Sequence, residues 1–512
     1  MKRLSEMKKG ILFALLGVLI GVGCTVAVQK YNVNTRRLKA EYRDWRKLNL
    51  VLQSIGDNYV DSVDFKKVSE AAIDAALGSL DPHSVYMPPV ELKEAETDLS
   101  GGFEGIGIQF NVPNDTAIVI EVISGGPSEK IGLRSGDRLL KVDTTVIAGV
   151  KFPQDSMVRR MKGPSGTKVL ITVGRDGEQI PFEITRGKIP VHSVDAAFML
   201  DDTTAYLRLS KFSRTTFKEV AENLKKLSDE GMTSLLFDLR GNTGGYFDQA
   251  LMLSDLFLEK DQEIVYLEGR KRAREEYKAT GHGLYKNIGL TLLIDEGSAS
   301  SSEIFAGAMQ DNGRSKIVGR RSFGKGLVQE PVYFTDGSGV RLTVARFYTP
   351  SGRCLQKPYS DDYIYEVYKR YDGGEMMVAD SMKAENGGII PDVFVPLDTT
   401  RATKFYLDCN RKATAMRFAS KFFDLHRAEL SSIDNYSTLV HYLDAAGLER
   451  SFLNYAASTD ALKPEAGEWE ADRDYMMSQV RALVGRYSKL GDNAYYHLYL
   501  PVDKTVHCAM NL

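Results

Sequence analysis

The fold of this chain is decided by one segment, Thr291-Leu292-Leu293-Ile294-Asp295-Glu296-Gly297-Ser298-Ala299-Ser300-Ser301-Ser302-Glu303-Ile304-Phe305-Ala306-Gly307-Ala308-Met309. Its apolar run 291–294 predicts a short buried strand, and residues 295–297 predict a turn. The apolar spacing from Ile304 to Met309 predicts a helix. A strand, a turn and a helix in this order indicate α/β layering, in which helices cover a sheet.

The same alternation continues on both sides of this segment. Apolar runs predict strands at residues 205–209, 234–239, 290–294 and 316–318. Helical spacing alternates with them at residues 217–227, 247–258 and 302–309. We therefore predict an α/β core over residues 187–400.

Three further regions differ from this core in the spacing of their apolar residues and in their content of turn residues. Residues 100–186 contain short β-branched runs between Gly, Pro and Asp turns, which predicts a small β-rich module inserted before the core. Residues 41–99 have helical spacing that Asp81-Pro82-His83 interrupts. Residues 401–512 are helical and aromatic in pattern, and no role follows from them. The predicted fold class is therefore multidomain, with an N-terminal anchor helix, a helical lead, the β-rich module, the α/β core and a C-terminal helical extension.

The first 40 residues predict a segment that targets the chain to a membrane. Residues 11–28 form an 18-residue apolar run behind Lys2, Arg3, Lys8 and Lys9. Spanning a bilayer takes about 20 apolar residues, whereas a cleaved signal sequence has an apolar region of about 7 to 15, so an uncleaved signal anchor is favoured. A cleaved signal peptide or a lipoprotein at Cys24 stays open. We expect the rest of the chain to be exported and to face the periplasm of a cell envelope.

Composition excludes several function classes. The chain has 512 residues with 66 Lys plus Arg against 68 Asp plus Glu, a formal charge of −2, so no basic field for nucleic acid is present. Its four cysteines are far apart, which signals neither a metal site nor a disulfide framework. No cofactor is predicted.

A glycine-rich loop at residues 100–108 predicts an anion site, because consecutive backbone N–H groups can point into one concavity. A plain glycine turn is the alternative. The following segment 125–142 resembles the helix and strand of PDZ domains, with Ser128 where the family usually has Ala. The resemblance implies that Gly105, Ile106, Gly107 and Ile108 bind the C-terminal tail of another protein, with apolar terminal side chains preferred.

Two other glycine motifs need an interpretation. Residues 319–326 fit the P-loop pattern GxxxxGK, but Gly326 stands where Ser or Thr should bind magnesium and a strand-like segment follows, so nucleotide binding is rejected. The turn Gly241-Asn242-Thr243-Gly244-Gly245 lies between a strand and a helix. Its N–H groups can serve as an oxyanion donor.

The serines that open the helix can carry chemistry, because helix-terminal N–H groups face any oxyanion that develops there. The alternative is that Ser300 or Ser302 is only a helix N-cap. Lys325 is a candidate base, since burial favours the neutral amine, and its alternative is a solvated hairpin lysine. Gln329 shares a strand face with Lys325 and can orient its amine.

Together these segments closely resemble the C-terminal processing peptidases, also called tail-specific proteases, a Ser/Lys family. The motifs are Phe237-Asp238-Leu239-Arg240, residues 242–245, 297–311 and 319–329, with further signatures at 80–84, 342–352 and 388–392. The resemblance implies that Ser300 is the nucleophile, Lys325 the general base and Gln329 the amide that orients it. It also implies oxyanion donors at the N–H of Ser301 and of a glycine in the 241–245 turn, with Gly244 preferred and Gly245 open.

We therefore predict a membrane-tethered serine endopeptidase that cleaves exported proteins near their C-termini, with the PDZ-like module gripping the tail. The alternative is a catalytically silent PDZ scaffold on the same fold. A trypsin-like PDZ protease is disfavoured, because its serine motif is missing and the PDZ-like module precedes the catalytic segments. The expected partners are proteins or peptides with apolar C-terminal tails, and a homo-oligomer or an adaptor protein stays open.

Overall fold

The computed structural model describes residues 45–99, 102–112, 115–123, 125–175, 177–190, 192–359, 365–379, 387–398 and 403–512. The predicted anchor at residues 1–40, with Cys24, lies outside them. No helix within these ranges is long and apolar enough to cross a bilayer. The chain divides into two units, residues 1–79 and residues 80–512.

In the first unit the predicted helical lead is confirmed by two helices. Residues 45–58 form α1, and Phe65–Gly78 form α2. Asp64 begins α2 as an N-cap, since its carboxylate accepts the backbone N–H groups of Lys66 and Lys67. In the second unit the lead region also contains a strand that the sequence did not predict, β1 (Val85–Met87), followed by helix α3 (Pro89–Leu99).

The predicted β-rich module begins and ends in one pair of strands. Strand β2 (Gly102–Gly105) pairs antiparallel with β9 (Gly187–Pro190). Between them lie β3 (Ile108–Asn111), β4 (Ala117–Val122), α4 (Pro127–Lys130), β5 (Arg138–Val142), β6 (Thr145–Val146), α5 (Gln154–Met161), β7 (Lys168–Arg175) and β8 (Glu178–Thr185). The sheet order is β3-β4-β5-β7-β8, with β6 paired to β5. Buried Val169, Ile171 and Val173 alternate along β7, as expected of a strand with one face in a core.

The elements of the core region, in chain order, are β10 (Val194–Met199), β11 (Thr204–Leu209), α6 (Thr216–Asp229), β12 (Ser234–Asp238), α7 (Phe247–Asp255), β13 (Glu263–Gly269), β14 (Arg272–Lys278), β15 (Gly289–Ile294), α8 (Ser301–Asp311), β16 (Lys316–Gly319), β17 (Leu327–Tyr333), β18 (Gly339–Tyr348), α9 (Glu366–Asp372) and β19 (Val393–Phe394). Six of the strands form the predicted sheet in the order β10-β11-β12-β15-β16-β19, parallel except for β10.

A second sheet, which the sequence did not predict, has the order β1-β18-β13-β14 with β17 paired to β18. Of its strands, β17 corresponds to the strand-like segment predicted after Gly326. The others were not predicted, because strands such as Arg272–Lys278 are charged and exposed and lack the apolar runs of the core strands. This sheet carries Gln329 on β17, while α8 follows β15 of the parallel sheet. The two halves of the predicted site therefore come from two different sheets.

The C-terminal region is helical, as predicted. It contains α10 (Lys404–Arg411), α11 (Thr414–Leu425), α12 (Arg427–Leu430), α13 (Tyr436–Ala445), α14 (Leu448–Thr459), α15 (Glu468–Arg486), α16 (Gly491–Tyr499), a 3-10 turn (Leu500–Val502) and α17 (Lys504–Met510). Leu500 and Val506 pack on Leu236 and Leu293, on the face of the parallel sheet opposite to α6, α7 and α8.

The same helical region also packs on the β-rich module. Ile118 and Ile120 of β4 are buried in one cluster with the apolar side chains of α10 to α16. The Arg427 guanidinium donates hydrogen bonds to the carbonyls of Ser135 and Gly136 at 2.7 Å and 3.2 Å. The C-terminal helices therefore join the β-rich module to the α/β core.

Candidate active site

Ser300 lies at the junction between β15 and α8, in a backbone conformation that few residues adopt. Its φ is 56° and its ψ is −114°, outside the regions that L-residues prefer. Such strain persists only where the surroundings impose it, and it concentrates at functional sites. Ser300 lines a groove of about 540 Å³ together with Lys325, Gln329, Ser301 and Gly244. The structure thus brings together the residues that the sequence predicted for the site.

Hydrogen bonding separates Ser300 from the other serines of its motif. The Ser298 hydroxyl donates to the Leu239 carbonyl at 2.9 Å, that of Ser301 to the Gly245 carbonyl at 3.0 Å, and that of Ser302 to the Asn242 carbonyl at 2.9 Å. The Ser300 hydroxyl makes no hydrogen bond to any residue that the structure describes. Ser300 and Glu303 have the arrangement of a capping box, but the Glu303 N–H donates to the Ser300 carbonyl at 2.9 Å, so the Ser300 hydroxyl stays available to a substrate.

Lys325 lies just before β17, half-buried in the same groove. Its amine makes no hydrogen bond or ion pair within the described parts of the chain. Burial lowers the pKa of Lys325, the charge of Arg341 lowers it further, and Glu303 opposes the shift. The alternative of a solvated hairpin lysine is wrong, because the β17–β18 turn lies beyond Tyr333 and Lys325 is half-buried in the lining of the groove.

The Glu303 carboxylate connects the two catalytic segments. It is fully buried and accepts the backbone N–H groups of Ser300 (2.8 Å), Gly324 (2.7 Å) and Lys325 (2.8 Å). It also accepts the hydroxyl of Ser322. Burial raises the pKa of Glu303, and these four donors oppose that shift by favouring the charged form. One carboxylate therefore holds the backbone of the serine and of the lysine in a common frame.

The backbone N–H groups predicted as oxyanion donors differ in whether they already have a hydrogen-bond partner. The Ser301 N–H has no partner among the described residues, as an oxyanion donor requires. The Gly244 N–H, by contrast, donates to the Asn242 side chain at 2.9 Å, whereas the Gly245 N–H has no partner in the described chain. Gly244 instead allows close contact, because a Cβ there would lie 2.8 Å from the Ser300 Cβ.

A buried ion network holds the base of this glycine turn. Asp238, fully buried at the end of β12, bonds the guanidinium of Arg240 at 2.6 Å, and Arg240 bonds Asp503 of the C-terminal region at 2.7 Å. Burial alone would raise the pKa of Asp238, but Arg240 and Arg208 lower it well below its usual range. The ion pairs of Arg240 thus hold the backbone in place directly before Gly241.

Gln329 lines the groove, but its amide donates to a different group from the Lys325 amine that was predicted. Its Nε2 donates to the His83 carbonyl at 2.6 Å, and no bond to the Lys325 amine is present. The turn at His83 is itself held by Asp81, which accepts the N–H groups of His83 and Ser84 at 2.8 Å and 2.7 Å. Burial and then the Lys325 charge lower the pKa of His83 to about 4, so its imidazole is neutral at pH 7.

In the β-rich module the predicted tail-binding residues line a small groove of about 90 Å³. Gly105, Ile106, Gly107 and Ile108 form one wall, and the other residues are Phe110, Val158, Met161 and Lys162. The carbonyls of Ile106 and Gly107 accept N–H groups from residues 128 and 123. The N–H groups of Ile106 and Gly107 have no partner among the described residues, which suits a bound carboxylate.

Sequence reasoning missed the roles of two residues in this region. Glu303 received no role from the sequence, although its spacing from Ser300 matches the Ser-x-x-Glu pattern of a capping box. Arg341 carries no sequence signal, since it belongs to an ordinary strand, yet it lines the active-site groove. In the ranges that the structure describes, no group of three or more His, Cys, Asp or Glu side chains could hold a metal ion.

Comparison with known proteins gives two family matches. Residues 203–364 match the model of peptidase family S41, and residues 105–185 match that of the PDZ domain. Among solved structures, the photosystem II D1 C-terminal processing protease is 26% identical with a TM-score of 0.39, covering 69% of this chain and 86% of its own.

Two curated relatives extend these matches along the chain. The carboxy-terminal-processing protease of Bartonella bacilliformis is 34% identical over 379 residues, which cover 72% of this chain and 86% of the relative. The carboxy-terminal processing protease CtpA of Bacillus subtilis is 33% identical over 313 residues, which cover 61% of this chain and 66% of the relative. This chain therefore belongs to peptidase family S41 and is a C-terminal processing serine protease with a PDZ domain.

Proposed function

We propose that this protease cleaves peptide bonds with the Ser300 hydroxyl as nucleophile and the Lys325 amine as general base. The observation that carries the proposal is the shared groove, in which both functional atoms lack protein partners among the described residues while Glu303 holds their backbones together. Burial lowers the pKa of Lys325, which is the direction that a lysine acting as general base requires.

The chemistry follows from this arrangement. Neutral Lys325 takes the Ser300 proton as Oγ attacks the peptide carbonyl, and the N–H groups of Ser301 and Gly245 stabilise the oxyanion. We assign the second donor to Gly245 because Asn242 already engages the Gly244 N–H. The Lys325 ammonium then protonates the leaving amine, and water releases the acyl group from Ser300. Gln329 is the group we assign to hold the lysine, through the Oε1 that its bond to His83 leaves open.

Substrate selection belongs to the PDZ domain in this proposal. PDZ domains bind peptide C-termini, and the groove of this one pairs two open N–H groups with the apolar side chains of Phe110, Val158 and Met161. A free C-terminal carboxylate and an apolar terminal side chain match these two features. The substrates we propose are therefore proteins with apolar C-terminal tails.

For the location of the enzyme, we propose a cell envelope with residues 1–40 as a signal anchor and the protease facing the periplasm. The 18-residue apolar run at 11–28 and the lysines and arginine before it support this. Extraction of membranes at alkaline pH tests it, because an anchored chain stays with the membrane. Release of the chain by this treatment would contradict the anchor.

The catalytic assignment predicts that Ser300→Ala and Lys325→Ala each lower kcat by at least about 10⁴-fold, as removal of a nucleophile or its base does in serine proteases. The assay is cleavage of an unfolded protein together with labelling by a fluorophosphonate probe. Ser301→Ala is the matched control: it removes the adjacent hydroxyl and its hydrogen bonds to the carbonyls of Gly245 and Tyr246, and it should stay within about tenfold of wild type. An inert wild-type protein, or an active Ser300→Ala variant, would contradict the proposal.

The lowered pKa of Lys325 predicts a pH dependence of kcat/KM. The base must be neutral, so kcat/KM rises as pH increases through the Lys325 pKa, and this limb should lie below the ordinary lysine value of about 10.4. Arg341, Glu303 and His83 are the charged or titratable groups that influence this lysine. Lys325→Arg, which cannot lose its proton, should show no such limb. A wild-type limb at or above the ordinary value would exclude the assigned base.

The role of Glu303 predicts that Glu303→Gln lowers both stability and rate. The amide replaces two acceptor oxygens with one and leaves buried N–H groups unpaired, which should reduce the free energy of unfolding by at least about 2 kcal/mol. Displacement of Ser300 and Lys325 should lower kcat about 100-fold. Glu296→Gln, whose carboxylate contacts Arg320 instead, is the control. Urea unfolding and steady-state kinetics measure both effects, and equal behaviour of the two variants would remove the special role of Glu303.

The tail-binding groove predicts that an apolar-ended peptide with a free C-terminus binds at least about tenfold more tightly than its amidated form, because amidation removes the charge that the open N–H groups receive. Val158→Asp in the groove should weaken both. Leu170→Asp on the exposed face of β7 is the control and should change neither. Calorimetry measures the affinities, and equal binding of free and amidated peptides would contradict a carboxylate site.

A further inference from the structure

Arg341 is a cation in the catalytic groove, and the proposed mechanism assigns it no step. It lies on β18, the strand between β1 and β17, opposite Val85 on one side and Pro331 on the other. Its side chain is half-buried and lines the groove with Ser300 and Lys325. It makes no hydrogen bond or ion pair with any residue that the structure describes.

The balance of charge in the groove singles out this guanidinium. The charged residues lining the groove are Arg272, Lys325, Glu330 and Arg341. Arg272 and Glu330 neutralise each other in an ion pair, and Lys325 is uncharged when it acts as base. When Lys325 is neutral, the lining of the groove therefore has one uncompensated positive charge, that of Arg341, in the same groove as Ser300.

A bound peptide would cover this half-buried cation, so an uncompensated guanidinium would lose part of its hydration without gaining a partner. A carboxylate is the group that best offsets this loss, because the planar fork of arginine matches it with two charge-assisted hydrogen bonds. A neutral peptide offers only carbonyl oxygens, whose hydrogen bonds are weaker.

We propose that Arg341 is a specificity residue that binds a carboxylate of the substrate, from an Asp or Glu side chain near the cleaved bond or from the free C-terminus of a short tail. The proposal rests on the catalytic groove assigned above. It differs from the PDZ site, because Arg341 acts beside the cleaved bond. If Arg341 has this role, the protease cleaves an acidic substrate with a higher kcat/KM than its isosteric neutral counterpart, and this difference depends on Arg341.

The test uses full-length protein and two series of fluorogenic peptides. In the first series every peptide is C-terminally amidated, and a single Asp or Asn is placed at each position within about four residues of the cleaved bond. In the second series one neutral peptide, cleaved near its end, has a free or an amidated C-terminus. The measured quantity is the ratio of kcat/KM within each pair, for wild type, Arg341→Gln, Arg341→Lys and Arg272→Gln.

We expect wild type to favour the acidic member of at least one pair by about tenfold or more, the size of a charge-assisted hydrogen bond. Arg341→Gln should bring that ratio close to one, and Arg341→Lys should retain part of it. Arg272→Gln removes the same charge from the same groove and should keep the preference, since Arg272 is already paired with Glu330. The responding series identifies the source of the carboxylate, because a terminal preference due to the PDZ site persists in Arg341→Gln.

Three results would overturn the proposal: equal cleavage within every pair, no pair in which Arg341→Gln reduces the preference, or an equal loss of the preference in Arg272→Gln. Binding of both series to Ser300→Ala protein, with and without Arg341→Gln, separates this question from catalysis. Should wild type cleave nothing, the catalytic assignment fails, and the affinity ratios measured by fluorescence anisotropy still decide the role of Arg341.

Discussion

The buried carboxylate of Glu303 is the interaction on which the catalytic arrangement depends. A charged carboxylate in a protein interior is unfavourable unless its oxygens are hydrogen-bonded. Here the donors come from two segments distant in sequence, the N–H of Ser300 on one side and those of Gly324 and Lys325 on the other. The need to satisfy this charge therefore holds Ser300, which follows a strand of one sheet, against Lys325, which precedes a strand of the other. It also accounts for the strained backbone of Ser300, whose N–H must face the carboxylate.

Around this contact, each segment of the site has its own support. The buried pair of Asp238 and Arg240 holds the start of the glycine turn, and Asp503 extends it into the C-terminal helices. Gln329 is held by the turn at His83. These supports leave the Ser300 hydroxyl, the Lys325 amine and the Arg341 guanidinium in the groove without a hydrogen-bond or ion-pair partner in the described chain, and therefore open to a substrate.

Most of the secondary structure could be predicted from local pattern. The strand at 291–294 and the helix after Ser300 follow from apolar periodicity and turn residues, which depend on neighbours in sequence. Ser300 and Lys325 were located because their motifs are contiguous. The second sheet escaped prediction because strands such as β14 are amphipathic or exposed, and β1 because three residues carry too little pattern. Gly244 was preferred over Gly245 as a donor because a sequence cannot say which N–H the Asn242 side chain occupies.

The sequence by itself determined the α/β layering, the PDZ domain before the core, the membership of a serine peptidase family and the helical character of residues 401–512. Each of these features follows from the periodicity of apolar residues or from a short contiguous motif. Only the tertiary structure decided which serine hydroxyl is left open, how Glu303 joins the two catalytic segments, where Arg341 lies, and that the C-terminal helices join the PDZ domain to the core. These depend on contacts between residues far apart in the chain, where burial and hydrogen-bond partners are set by packing and leave no local trace.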